Sequence, residues 1–323
     1  MAEVDSDAAA QPMPTTIAQE TVPGRVCHVD GDYLAYYASG SDNTTAGAAR
    51  HIAKNKIETF ATMSGSMKAR VHLTSGGSTK GERFLIATIK PYQGHRDKGK
   101  RPKNWPVLRE YLELDPYLPY ERKLWSDREA DDGLAFESHK VYRPTESVVI
   151  ATKDKDMRML PGVHIDWADY TLTHVPKGAY EVIGPYNGLV YGTKWFWLQM
   201  LQGDSADFIP GLEKYEGKDI GEVTAAQLLA GTTCNEEAME VVSSAYYGTY
   251  NKQWADRLVE QAGLLWLRTN FDAPINDMLR VVPPCKAVLA AINRLARRVR
   301  EQREALNNII AQAAALEDDT AAG

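Results

Sequence analysis

Three short apolar runs, each ending on a polar or acidic turn, limit what this chain can fold into. Arg25-Val26-Cys27-His28-Val29 ends on Asp30-Gly31-Asp32, Arg70-Val71-His72-Leu73-Thr74 on Ser75-Gly76-Gly77, and Ser147-Val148-Val149-Ile150-Ala151 on Thr152-Lys153-Asp154-Lys155-Asp156. Runs rich in Val and Ile, bounded by such turns, read as strands. Between the first two, Ala49, Ile52, Ala53, Ile57 and Phe60 recur at helical spacing, with Asp42 or Thr44 as N-cap. A second helix is expected around Asp131 to Lys140. Strand, helix, strand is the rhythm of an α/β parallel sheet, whose ligand crevice lies beyond the carboxyl ends of its strands. The acidic turns should therefore meet in one place.

Residues 1–22, rich in Ala, Gln, Thr, Pro and acid, read as a disordered tail. Gly162 to Gly184 reads as short strands and turns. From Trp195 the pattern is mostly helical, punctuated by Pro283-Pro284 and ending in a long helix from about Lys286 to Ala313. The expected organisation is a core over 23–200, a helical region over 201–285, and a C-terminal helix with an acidic tail over 286–323.

Composition narrows the function. Of 323 residues, 44% are hydrophobic and 25% charged, which excludes disorder over the whole chain. The net charge of −6 argues against a simple basic coat for nucleic acid, but not against a nucleic-acid enzyme, because metal-holding carboxylates enter the same sum. No apolar stretch approaches the roughly 18 residues of a membrane span, and the first residues lack the pattern of a signal peptide. A cytoplasmic protein with no membrane partner is expected. Cys27, Cys234 and Cys285 lack metal-site spacing and are expected as buried free thiols.

Acids recur in four suggestive settings: Asp30 and Asp32; Glu129-Ala130-Asp131-Asp132; Asp154 and Asp156; and Asp204 with Asp207 in Gly203-Asp204-Ser205-Ala206-Asp207. Each alone has an ordinary explanation, since helix N-termini and strand-to-helix turns favour Asp. Together they do not. Carboxylates about 4 Å apart repel by on the order of 4 kcal/mol per pair at an effective dielectric near 20, so a converging set needs protons or divalent cations. Oxygen ligands without paired Cys or His point to Mg²⁺ or Mn²⁺. Two such ions suit hydrolysis of a phosphodiester. The stretch from Lys90 to Asn104 sets Lys90, Arg96, Lys98, Lys100, Arg101 and Lys103 against the single acid Asp97. With Tyr92 and Trp105 for stacking, it reads as a phosphate-contacting loop.

At these residues the chain resembles the flap endonuclease and 5′-to-3′ exonuclease superfamily, and within it the exonucleases of short-tailed bacteriophages. The matching elements are Val29-Asp30-Gly31-Asp32-Tyr33, Tyr92-Gln93-Gly94-His95-Arg96, Glu129-Ala130-Asp131-Asp132, Thr152-Lys153-Asp154-Lys155-Asp156 and Gly203-Asp204-Ser205-Ala206-Asp207-Phe208-Ile209-Pro210-Gly211, in the family's order. The resemblance implies a PIN-like nuclease core with a helical arch segment, a helix-3-turn-helix that grips duplex DNA, and two Mg²⁺ or Mn²⁺ ions. It puts Asp30, Glu129, Asp131 and Asp132 near one ion, as catalytic ligands, and Asp154, Asp156, Asp204 and Asp207 near the other. It has Arg96 contact the scissile or adjacent phosphate and assigns duplex contacts to the segment containing Gly221 and Thr224, with a K⁺ ion there. Three departures stand out: Ser75 where many relatives carry an Asp; Gln93 where many carry a phosphate-orienting Lys, for which Lys90 or Lys98 could substitute; and Asp219 in place of the hairpin's first Gly.

The implied function is cleavage of DNA near 5′ ends or flaps, RNA in RNA:DNA hybrids being a further substrate. A phage role in replication, recombination, primer removal or host-DNA degradation follows, as a monomer or with a replication-protein partner. Two alternatives compete: a phosphatase of the haloacid-dehalogenase type, built on Asp30-Gly31-Asp32 and the late Gly-Asp-x-x-Asp, and a DNA-binding module without activity. The C-terminal helix, with Arg294, Arg297, Arg298, Arg300 and Arg303, could pack on the core, touch DNA or pair with a partner. The eight proposed ligands and the acids of the two tails account for fifteen negative charges, and the remaining body carries +9.

Overall fold

In the computed structural model, which describes residues 18–94, 101–140 and 143–321, with side chains to residue 314, the three apolar runs are neighbours in one sheet. The central strand β1 (Val26–Asp30) pairs in parallel with β2 (Lys68–Thr74) on one side and β4 (Val148–Ala151) on the other. Outside them lie β3 (Glu121–Trp125) and β5 (Gly162–Ile165), also parallel, and β6 (Leu172–Val175) closes one edge antiparallel. The order is β3-β2-β1-β4-β5-β6. The chain winds outward from β1 to β3 and then returns on the other side of β1. That reversal opens a crevice past the ends of β1 and β4.

Alternation along the strands sorts the two faces. Cys27, Val29, Val71, Leu73, Val149 and Ala151 face α1 (Gly31–Ala38), α2 (Ala46–Met63) and α4 (Trp105–Leu114). Val148 and Ile150 face a second core, shared by α5 (Ala130–His139), α6 (Thr193–Gln202), α8 (Asn235–Tyr250), α9 (Trp254–Leu265) and α10 (Lys286–Ala321). This cluster runs from Ile86 to Val299, across the boundaries expected at 200 and 285. The smaller elements are α3 (Arg83–Ile86), α7 (Glu222–Leu228) and a hairpin of β7 (Val182–Ile183) and β8 (Val190–Tyr191).

Several expectations are corrected. The N-cap of α2 is Thr45, whose hydroxyl accepts from Ala48 N, and Ile52 on that helix is exposed. Cys27 alone is buried; Cys234 is half-buried and Cys285 exposed, all three free. Ordered structure reaches into the tail expected over 1–22, since Val22 N donates to Gly65 O at 2.9 Å, and α10 continues to Ala321. The sequence reading also omitted α1, which starts directly after β1. Its first residue must be Gly31, because a Cβ there would lie 2.7 Å from His72 O and 2.6 Å from the Val71 and Leu73 side chains. Among the described residues no helix is long and apolar enough to cross a membrane.

Candidate metal centre

The end of β1 delivers Asp30 to the crevice. Its Oδ1 accepts from Tyr33 N at 2.9 Å, capping α1, and its Oδ2 accepts from Thr152 Oγ1 at 2.7 Å. Thr152, one residue past β4, also accepts from Asp154 N at 2.9 Å, and Asp154 Oδ1 accepts from Asp156 N at 2.8 Å. The acidic turn after β4 is thereby tied to β1. The end of β2 positions α5, because Thr74 Oγ1 accepts from Ala130 N at 2.8 Å. Asp131 then faces Asp154, Asp30, Glu129 and Asp32; burial first, and those charges next, hold its carboxyl well above the usual range. Asp30 is pushed up to about 7, by burial and then by Asp32.

The other acids come from a loop after α6. Gly203 ends that helix at φ 73°, and Asp204 and Ile209 exchange backbone bonds of 2.8 and 2.7 Å across the loop. A Cβ at Gly203 would lie 2.4 Å from Ile209 O. Oxygens of Asp156, Asp204 and Asp207 lie within 4.8 Å of one another. Burial, followed by Asp154, Asp204 and Asp207, holds the Asp156 carboxyl well above its ordinary value, and Asp154 is raised by burial and by Asp207 and Asp204. Lys155 Nζ lies 2.6 Å from Asp204 Oδ1, and Gln199 Nε2 donates to Asp156 Oδ1 at 2.6 Å. Buried carboxylates that raise one another, with oxygen the donor atom throughout, fit a hard divalent cation such as Mg²⁺ or Mn²⁺.

Asp132 does not join them. Arg83 grips both its oxygens at 2.8 Å, and Arg268 N donates to Oδ1 at 2.9 Å. One residue after Asp131 and so about 100° further round the first turn of α5, Asp132 points into the protein and anchors that helix; its assignment as a catalytic metal ligand is corrected to a buried ion pair. Glu129 stands between the two roles. Its Oε2 accepts from Tyr92 Oη at 2.6 Å and Arg83 at 3.3 Å, and its Oε1 from Gln93 Nε2 at 2.9 Å. Tyr92 Oη also lies 2.8 Å from Asp207 Oδ2. Tyr92 is therefore a strut between carboxylates and not the stacking residue expected from its basic neighbourhood.

Lys80, which the sequence reading missed, meets Gln93: its Nζ donates to Gln93 Oε1 at 2.7 Å. Lys90 instead sits 5.1 Å over the Phe208 ring. Gln93 Nε2 reaches Asp207 Oδ1 at 3.2 Å, so a cation approaches the carboxylates through an amide. Asp32 accepts from Thr74 N at 3.2 Å and pairs with Arg109. Arg101 stacks 4.2 Å from the Trp105 ring, and Lys103 Nζ donates to Asp42 O. Arg96, Lys98 and Lys100 lie outside the described residues. Gly221 caps the short α7, which contains Thr224, about the region of Asp219, itself paired with Lys214 at 2.5 Å. Lys155 lay inside a recognised motif, whereas nothing in local spacing marks Arg83 or Lys80.

The phosphatase alternative fails on geometry, because Gly203-Asp204 follows the helix α6 where that architecture requires a strand. Sheet order, crevice and buried acidic triad define an α/β protein with the fold of phage 5′-exonucleases and flap endonucleases. The T5 D15 protein co-crystallised with metal ions matches with a TM-score of 0.53 at 15% identity, over 86% of this chain and 98% of the other. The bacteriophage T5 D15 flap endonuclease in a pseudo-enzyme–product complex with DNA and metal ions matches with 0.52 at 16%, over 85% and 99%. T5 5′-exonuclease with bound zinc matches with 0.56 at 17%, over 85% and 99%. No family model matches the sequence, and no curated protein does.

Proposed function

We propose that the chain is a divalent-metal-dependent 5′-to-3′ exonuclease and flap endonuclease acting on DNA phosphodiesters near 5′ ends, in phage replication, recombination, primer removal or host-DNA degradation. The observation that supports this most is the convergence of Asp30, Asp131 and Asp154 with Asp156, Asp204 and Asp207 past the ends of β1 and β4. Asp30, Asp131 and Glu129 would hold one Mg²⁺ or Mn²⁺, and Asp154, Asp156, Asp204 and Asp207 the other. Bound there, the ions supply an activated water and charge neutralisation at the leaving oxygen.

The chain's own groups do the rest. Tyr92 and Gln93 hold Glu129 and Asp207 in register. Lys80, through Gln93, sets positive charge beside the phosphate to be cut. Lys90, Arg96, Lys98, Lys100, Arg101 and Lys103 draw the unpaired 5′ end toward the crevice, while the segment around Gly221 and Thr224 grips the duplex. A K⁺ ion at that segment and RNA:DNA hybrids as a second substrate belong to the same proposal, as do core and duplex-binding regions divided near residue 200.

Mg²⁺-dependent digestion tests it. Duplex DNA labelled at its 5′ end should yield short products with Mg²⁺ and none with EDTA, and Asp131→Ala should abolish cleavage while leaving DNA affinity within about threefold, under 0.7 kcal/mol. Intact DNA beside rapid hydrolysis of a small phosphomonoester would sink this function. Mg²⁺-independent binding without cleavage would leave a DNA-binding module.

A further inference from the structure

Between β2 and α3 three consecutive residues take left-handed backbone: Lys80 at φ 51°, Gly81 at φ 61° and Glu82 at φ 57°. A residue with a Cβ is disfavoured in that region, so two of them beside one glycine make a strained turn that its surroundings must hold. The turn sends neighbouring side chains to different places. Lys80 Nζ donates to Gln93 Oε1 at 2.7 Å beside the carboxylates, whereas Arg83 grips Asp132 inside the protein at 2.8 Å. Glu82, between them, turns outward to α10, where both its oxygens accept from Arg303.

Backbone bonds fasten one flank of this turn. Thr79 N donates to Ser126 O and Gly81 N to Asp127 O, both at 3.0 Å, and Glu82 N closes back on Thr79 O at 2.8 Å. On the other flank lies an open cavity of about 470 Å³ whose lining includes Gly81, Glu82, Arg268 and Arg303, so close packing does not hold the turn there. The hold comes from α10. Beyond Val299 that helix leaves the core, and every residue of 301–314 is exposed. Among the described residues, Arg303 with Glu82 is the one ion pair that ties this stretch to the body. Five residues earlier, Arg298 Nη2 donates to Ile86 O at 2.7 Å. The last helix thus grips the 82–86 segment at both ends, and Lys80 stands immediately before it.

We propose that Arg303 is a positioning residue for cleavage: through Glu82 it holds the left-handed turn that aims Lys80 at Gln93 and the carboxylates, so the last helix tunes the reaction without touching the substrate. This role rests on the nuclease function proposed above, with Lys80 acting through Gln93. Single-turnover cleavage of 5′-labelled duplex DNA by the full-length protein with Mg²⁺ reads it. Arg303→Gln should slow that step about threefold, the modest effect expected of a pair open to solvent, with DNA affinity unchanged. Its melting temperature should stay within about 1 °C of the wild type.

A double-mutant cycle separates positioning from simple support. In a Lys80→Met background, Arg303→Gln should have no further effect, because the cation that it aims is gone. Equal slowing in both backgrounds would overturn the proposal, as would a wild-type rate in Arg303→Gln beside a slowed Lys80→Met. A wild-type protein that cleaves no DNA would instead sink the nuclease function, and hydrogen exchange then decides the hold by itself. The amides of Gly81 and Glu82, bonded to Asp127 O and Thr79 O, should exchange severalfold faster in Arg303→Gln than in the wild type. Unchanged exchange there would overturn the hold in an active or an inactive protein.

Discussion

Asp131 and Asp132 are neighbours in sequence with opposite environments. Asp131 has like charges around it and, among the described residues, forms no ion pair. Asp132 is fully buried; burial alone would raise its carboxyl, but Arg83 holds it below the usual range. Substituting Asp132→Asn takes from the buried Arg83 its bidentate partner and leaves it only the longer contact to Glu129, which should cost about 3 kcal/mol. Asp131→Asn removes repulsion and should leave the metal-free protein as stable or more so. Urea unfolding of both variants in EDTA decides it; equal losses would refute the separation of roles. Lys80 permits a second residue-level test. Lys80→Met should slow cleavage about tenfold, near 1.4 kcal/mol in the barrier, with unchanged DNA affinity. Adding Gln93→Lys should restore the rate by placing the cation directly, and single-turnover kinetics without that rescue would show that Lys80 does not act through Gln93.

At the scale of elements, the junction of β1 with α1 links packing to the site. Gly31→Ala would force a methyl group into His72 O and the Leu73 side chain, so α1 must move away from β2 and take Asp30, its N-cap, with it. Overpacking of this kind costs about 1–3 kcal/mol. The expected variant folds with a lower melting temperature and loses Mg²⁺ response as well as activity; a stable variant with normal Mg²⁺ response would show that Asp30 is not positioned by this contact. The same junction shows what was legible beforehand. β1, β2 and β4 could be read because their buried faces demand Val, Ile and Leu, and α5 because acids mark its first turn. The edge strand β3, Glu121-Arg122-Lys123-Leu124-Trp125, could not: its charged residues protect an exposed edge and erase the apolar pattern. α1 was hidden because it follows a strand with no intervening turn. Tyr92 and Asp132 were misassigned because residue type and motif position do not reveal direction, which is set by Arg83 and Asp207 from distant parts of the chain.

Over the whole molecule two sets of buried groups titrate against each other. His72 is held down to about 3 and His139 and His164 to about 4, in each case chiefly by burial, and His28 lies well below its ordinary value. Trp125 Nε1 donates to His72 Nδ1 at 3.1 Å, which leaves His72 Nε2–H to donate to His28 Nδ1 at 2.9 Å, so neutral rings satisfy the contact. These histidines take up protons on unfolding, and their contribution to stability is lost as pH falls from about 6.5 toward 4. The crevice carboxylates act in the opposite sense. With Asp30 near 7 and Asp131, Asp154 and Asp156 also raised, the metal-free folded state binds more protons than the unfolded chain, so stability falls as pH rises through that range. A divalent cation removes the second effect, because it binds the ionised carboxylates and displaces the protons they hold in the metal-free state. The stabilisation by Mg²⁺ should therefore grow between pH 5.5 and 8, by about 1.4 kcal/mol per pH unit for each proton displaced. Melting temperatures with Mg²⁺ and with EDTA across that range measure the difference. A Mg²⁺ shift independent of pH would mean that the ion binds outside the cluster of Asp30, Asp131, Asp154 and Asp156, whereas a growing shift that Asp131→Asn diminishes places it there.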